Sequence, residues 1–253
     1  MKKSLFKGLL ILALVGMAFS GVAAAEEKIY INGIDANYPP FSFIDSKGEP
    51  DGFDIKAINW IAQEMGFKVQ HQPTQWDAII PTLKAGKIDF VASGMSIDEP
   101  RKQQVNFSTC YYKTVMILVA KRENPIMPDK TMEADMKWGV QRGSSEANWI
   151  QDKLITDKEK KFMLQQYDSA SLAMDDILNG RIDVAAISLS SADEFMEKGM
   201  PIKIIGSYGQ PDDETAYACR KEDTEFLKML NEGLKRLMAS ATWTELKTKY
   251  GVR

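Results

Sequence analysis

The 253-residue chain has one histidine, His71, and two cysteines, Cys110 and Cys219. With His71 at what reads as the exposed end of a strand, no Ser-His-Asp constellation is available. The two cysteines lie far apart and do not have the spacing of a zinc site, so neither a metal nor a cofactor is expected. Past the first 25 residues no apolar run approaches the length of a membrane span. Basic groups are also in deficit, with 32 Lys and Arg against 35 Asp and Glu.

The N-terminus accounts for part of that balance. Lys2, Lys3 and Lys7 precede the apolar run Leu9–Val15, and Val22-Ala23-Ala24-Ala25 offers small residues for cleavage. Residues 1–25 therefore read as a secretory signal peptide cleaved after Ala25, with no cysteine nearby to carry a lipid. The mature chain is expected to be soluble, exported and periplasmic. Without those three lysines, 29 basic groups face 35 acidic ones, a net of −6. That charge argues against nucleic acid or an anionic membrane as partner. About 228 residues suffice for two small lobes or one large domain. In an oxidising compartment the cysteines form one disulfide or remain two buried thiols.

Along the mature chain, apolar periodicity alternates between strand and helix. Ile29–Ile34 reads as a strand, Phe53–Met65 as a helix closed by Gly66, and Phe67–Gln70 as a second strand. The helix after Trp76–Leu83 ends at Gly86, and Lys87–Ala92 forms a third strand. Strand, helix, strand, helix, strand marks a parallel sheet, and ligands sit beyond the carboxyl ends of such strands. Asp35–Tyr38, Trp76 and Ser93–Arg101 all fall there. Trp76 is core or ligand contact; Phe41 reads as a plug at the lobe edge.

The stretch Ser93-Gly94-Met95-Ser96-Ile97-Asp98-Glu99-Pro100-Arg101 carries the most chemistry. A strand end, a bare glycine backbone, hydroxyls and a guanidinium converge before a helix whose N-cap is Ser96 or Asp98. That set suits a carboxylate, for which Arg supplies a planar two-donor fork. A second α/β unit follows. Trp138–Gln141 reads as a strand, Ser144 and Ser145 open a helix from Glu146 to Leu154, and Phe162–Gln165 and Ser169–Leu178 add a strand and a helix. Leu83-Lys84-Ala85-Gly86-Lys87-Ile88-Asp89-Phe90-Val91-Ala92 is echoed by Ile177-Leu178-Asn179-Gly180-Arg181-Ile182-Asp183-Val184-Ala185-Ala186, which suggests two lobes of similar build. Thr215–Arg220 reads as a strand, followed by an amphipathic helix at 223–239 and a final helix at 243–249.

These residues resemble the polar amino acid-binding family of periplasmic receptors that feed ABC importers (solute-binding protein family 3), over essentially the whole mature chain. The marks are Asp35–Phe41, Gly52-Phe53-Asp54-Ile55, Trp76–Pro81, Ser93–Ile97 with Arg101, Asn106-Phe107-Ser108 and Gly180–Asp183. The resemblance implies a two-lobed α/β periplasmic binding protein fold (type II), closing like a hinge on a small ligand. Lobe 1 would be 26–110 with 219–253, lobe 2 would be 111–218, and Thr109–Lys113 and Thr215–Cys219 would be the crossings. It implies that Tyr38 and Trp76 flank the ligand, with Asp35, Ser93 and Met95 alongside. Gly94 and Ser96 would meet its amino and carboxyl groups, Arg101 would anchor its carboxylate, and Ser144 and Ser145 would add donors from lobe 2. Cys110 and Cys219 fall on the two crossings, so a disulfide between them is expected. A monomer docking on a membrane permease is the implied assembly.

One position departs from the family. Ser188 stands where the family places an Asp that accepts the ligand's α-ammonium, and a hydroxyl cannot neutralise a buried charge. Asp193 or Glu146 supplies that charge, or Asp35 does from lobe 1, or the ligand lacks an α-amino group. A dehydratase on the same scaffold needs a general acid in the cleft, where the matching position is again Ser188, so a binding protein is expected rather than an enzyme.

Overall fold

The structure, a computed structural model, describes residues 28–252. The signal peptide lies outside the described residues.

In the first half of the chain the strands are Ile29–Ile34 (β1), Asn37–Tyr38 (β2), Ser42–Ile44 (β3), Pro50–Asp51 (β4), Lys68–Pro73 (β5), Phe90–Val91 (β6) and Asn106–Phe107 (β7). They are joined by helices Phe53–Met65 (α1), Ile79–Lys84 (α2) and Glu99–Lys102 (α3). Then come strands Tyr112–Thr114 (β8), Met116–Lys121 (β9), Lys137–Gln141 (β10), Met163–Tyr167 (β11), Val184–Ser188 (β12), Ile202–Ser207 (β13), Asp213–Thr215 (β14) and Ala218–Cys219 (β15). Helices Ser145–Trp149 (α4), Ala170–Leu178 (α5), Leu189–Glu197 (α6), Thr224–Met238 (α7) and Ala241–Lys249 (α8) follow, with 3-10 turns at Trp76–Ala78 and Pro128–Lys130 and a π-helical continuation of α4 over Ile150–Thr156.

Two five-stranded sheets result. The first runs β5-β1-β6-β15-β7 and the second β11-β10-β12-β9-β13. In each, the leading strand pairs in parallel with two neighbours, and an antiparallel strand joins the third. Each sheet is sandwiched by helices because its central strands are apolar on both faces. On β9, Met116, Leu118 and Ala120 enter one core, while Ile117 and Val119 enter the core on the opposite face. On the first lobe, α1 buries Ile55, Ile58 and Ile61, and α7 packs Leu230, Leu234 and Leu237 against the same core. The fold is thus the two-lobed α/β architecture.

The echoed motif explains how both sheets start alike. The Asp89 N–H donates to Ile31 O while its carboxylate accepts the Ile31 N–H; Asp183 does the same with Lys137. A Cβ on Gly33 would run into Ile88, and one on Gly139 into Ile182, so each Gly admits the Ile of the motif. The lobes are bridged by a short antiparallel ladder between β8 and β14, with Lys113 opposite Glu214.

Two expectations are corrected here. Cys110 and Cys219 are free thiols. Cys219 lies inside the first sheet opposite Asn106, whereas Cys110 donates to Tyr112 O before the crossing ladder begins. Burial also pushes the Cys219 thiol up to about 12, so it stays protonated. His71 is not at an exposed end: it is half-buried within β5, between Asn32 and Asn59. Burial lowers its pKa to about 4.

Candidate functional site

Between the two sheets lies a cleft with about 280 Å³ of atom-free space, the solvent at its mouth included. The first lobe lines it with Asp35, Tyr38, Trp76, Gly94, Ser96 and Arg101, and the second with Gln141, Ser144, Ser145 and Glu146. Each set follows the carboxyl end of a strand, namely β1, β5 and β6 in one sheet and β10 in the other.

Local sequence explains the loop that holds Arg101. Gly94 has φ +63°, and a Cβ there would lie 2.6 Å from the Tyr38 ring. Its N–H donates to the buried Asp54 carboxylate at 2.6 Å, which ties the loop to the start of α1. Asp98 then caps α3 by accepting the Arg101 N–H at 2.7 Å, with Pro100 in the first turn. The Arg101 side chain turns inward and is 5 % exposed. Its Nη1 donates to Ser96 O at 2.8 Å and its Nη2 to Gly143 O across the cleft at 3.0 Å. Its Nε faces Asp98 at 3.3 Å, and the guanidinium lies 5.4 Å from the Trp76 ring centre. One N–H on each terminal nitrogen remains for a carboxylate.

Two carboxylates face this cation from within the cleft. Asp35 is 5 % exposed; its Oδ2 accepts from Gln141 Nε2 at 2.6 Å and its Oδ1 from the Asn37 N–H. Burial raises its pKa, and the Gln141 and Asn37 bonds act against the rise. Glu146, in the first turn of α4, is 8 % exposed. Burial and then the neighbouring Asp213 raise its pKa, opposed by its own N–H and the Ser144 and Ser145 hydroxyls. Ser144 caps α4 through the Ala147 N–H. The Tyr38 hydroxyl reaches Ser188 Oγ at 3.4 Å, and its burial keeps the phenol protonated.

Three of the expected contact residues stand behind the wall. Ser93 is fully buried beneath Asp35, accepting its N–H at 2.9 Å and bonding Ser42. Met95 packs in the core behind Trp76. Ser188, with no exposure, caps α6. One wall residue had not been singled out, Gln141, which obeys the strand-end rule that picked out Trp76 and Gly94; Glu146 had been named only as one of three candidates to meet the ligand's α-ammonium.

Residues 30–253 match the family described as bacterial extracellular solute-binding proteins, family 3. The lysine/arginine/ornithine-binding periplasmic protein of Escherichia coli K12 is 32% identical over 260 residues, covering 99% of this chain and 97% of its own. A probable histidine-binding protein of Neisseria gonorrhoeae is 28% identical over 231 residues, with 90% and 85% covered. Among solved structures, an ancestral arginine-binding protein bound to arginine superposes with a TM-score of 0.80 at 31% identity, covering 88% of this chain and 97% of that one. An ancestral amino acid-binding protein described as a precursor of cyclohexadienyl dehydratase gives 0.79 at 30% identity, covering 88% and 95%. The chain belongs to the family 3 extracellular solute-binding proteins.

Proposed function

We propose that the protein is an exported periplasmic receptor that binds an amino acid with a cationic side chain and presents it to the permease of an ABC importer. The observation that carries the ligand class is the charge of the cleft wall, one guanidinium on Arg101 against two buried carboxylates, Asp35 and Glu146. A ligand with one carboxylate and two cationic groups offers a partner to each of these three charges. The relatives named for histidine, arginine, lysine and ornithine support the same class. In this reading residues 26–110 and 219–253 form lobe 1 and 111–218 form lobe 2. The chain acts as a monomer, and contacts available only in the closed state drive closure.

The test is a thermal-shift and calorimetric panel on protein unfolded and refolded to strip bound ligand. L-Arginine, L-lysine and L-histidine should raise the melting temperature, by the equivalent of about 2.7 kcal/mol at a hundredfold excess over Kd. Arg101→Ala should lose the response while keeping the parental circular dichroism. A response confined to neutral or acidic amino acids, or to acids without an α-amino group, would overturn the reading.

Glu146 also favours a second reading, in which this buried carboxyl of the cleft wall serves as the general acid for loss of a hydroxyl as water from a cyclic acid. Product formed from a prephenate-like acid, and lost in Glu146→Gln, would establish it. Binding without turnover is the expected outcome.

A further inference from the structure

We propose that Glu146, backed by Asp213, accepts the ligand's α-ammonium, a role displaced from the strand end at Ser188 to the first turn of α4. The assignment rests on the amino-acid reading above and concerns which carboxylate meets which cation.

The α-ammonium and α-carboxylate of an amino acid share one carbon, so the acceptor must stand beside Arg101. A chain of close polar contacts links the two. Arg101 Nη1 donates to Ser96 O at 2.8 Å, and the Ser96 hydroxyl lies 3.3 Å from Ser145 Oγ. Ser145 Oγ lies in turn 3.1 Å from Glu146 Oε2 and 2.5 Å from Asp213 Oδ2. Asp35 is held elsewhere, by Asn37, Gln141 and the Ser93 hydroxyl under its N–H, which leaves it for the distal cation.

Ser145 has one hydroxyl proton and three acceptors around it. Asp213 is the nearest, so Glu146 Oε2 faces lone pairs whenever Asp213 takes the proton. Two carboxylates thus converge on one hydroxyl, and neither is in an ion pair among the described residues. An ammonium brings the missing charge and three donors at once. Asp213 is a positioning residue: Gln210 Nε2 donates to its Oδ1 at 3.1 Å, and the Tyr208 hydroxyl holds Gln210 at 2.6 Å.

The alternatives are occupied or absent from the wall. The Ser188 oxygen accepts the Ser191 N–H at 3.2 Å and lies within bonding distance of the Tyr38, Ser190 and Ser191 hydroxyls. Asp193, one turn along α6, does not line the cleft.

Calorimetry with two ligand pairs tests the assignment: L-lysine with 6-aminohexanoate, and L-arginine with 5-guanidinopentanoate. Each second member lacks only the α-ammonium. Glu146→Gln should weaken the amino acid of the pair by about 30-fold or more, while its des-amino analogue binds unchanged or more tightly. Asp213→Asn should show the same selectivity with a smaller loss, and it carries the test should Glu146→Gln not fold. Asp35→Asn is the contrast and should weaken both members of a pair. Equal losses on both members in Glu146→Gln, or undiminished amino-acid affinity, would overturn the assignment alone. A parent that binds none of the four, nor any other amino acid, would overturn the receptor reading and this assignment with it.

Discussion

Asp54 opens α1 with no solvent exposure, and only one of its carboxylate oxygens is bonded. Oδ2 takes the Gly94 N–H and the Tyr111 hydroxyl, while Oδ1 has no partner. Burial outweighs those two bonds and raises the pKa from 3.8 to about 7. The folded state therefore binds a proton that the unfolded chain has already released between about pH 4 and pH 7. Stability from this group is full below about pH 4 and is lost as pH rises to about 7. Asp54→Asn should match the parent near pH 4 and melt higher than it at pH 7 and above, by about 1 kcal/mol or more. A constant melting difference across a pH series would contradict the raised pKa. The carboxylate also fixes the amide of Gly94, so the same titration reaches the loop that carries Arg101.

At the scale of elements, the repeated Gly-basic-Ile-Asp unit sets each sheet. Ile182 packs where Gly139 leaves room, so Gly139→Ala should destabilise the second lobe by about 1–3 kcal/mol through overpacking. Ile182→Val removes the methyl that the new Cβ would meet. A double-mutant cycle by urea unfolding should therefore find the pair less damaging than the sum of its parts. This unit was legible because its helix stop, its strand and its Asp lie within ten consecutive residues. So were α1 and α7, whose apolar spacing is unbroken. Other features were set by partners far away in sequence. Helix α6 begins Leu189-Ser190-Ser191, where no element was expected; Ser188 caps it and Ser191 docks on Pro39. The cysteines were expected to pair because both fall on the crossings, but the β8–β14 ladder begins only at Tyr112, past Cys110, and they stay free. Of the cleft wall, strand-end positions were readable, whereas which hydroxyls face inward depended on cap geometry at Ser144 and Ser188.

For the whole molecule, closure is held partly by bonds that touch no ligand. The Ser191 hydroxyl donates across the cleft to Pro39 O at 2.9 Å, and Arg142 of the second lobe stands 3.7 Å from Asp77 of the first. Ser191→Ala removes a buried bond worth about 1 kcal/mol, so ligand release measured by stopped flow should speed up roughly fivefold with association little changed. An unaltered release rate would place closure entirely on the ligand. The crossing ladder is also continuous with the wall: Ile97 N–H donates to Glu214 O, Ala216 N–H donates to Met95 O, and Ser96 pairs with Thr215. Asp213, one residue before Glu214, reaches the Ser145 hydroxyl. On the receptor reading, the ladder that joins the lobes is therefore continuous with the backbone that presents the proposed recognition groups. On that reading, a substitution in this ladder acts on lobe movement and on ligand selectivity together.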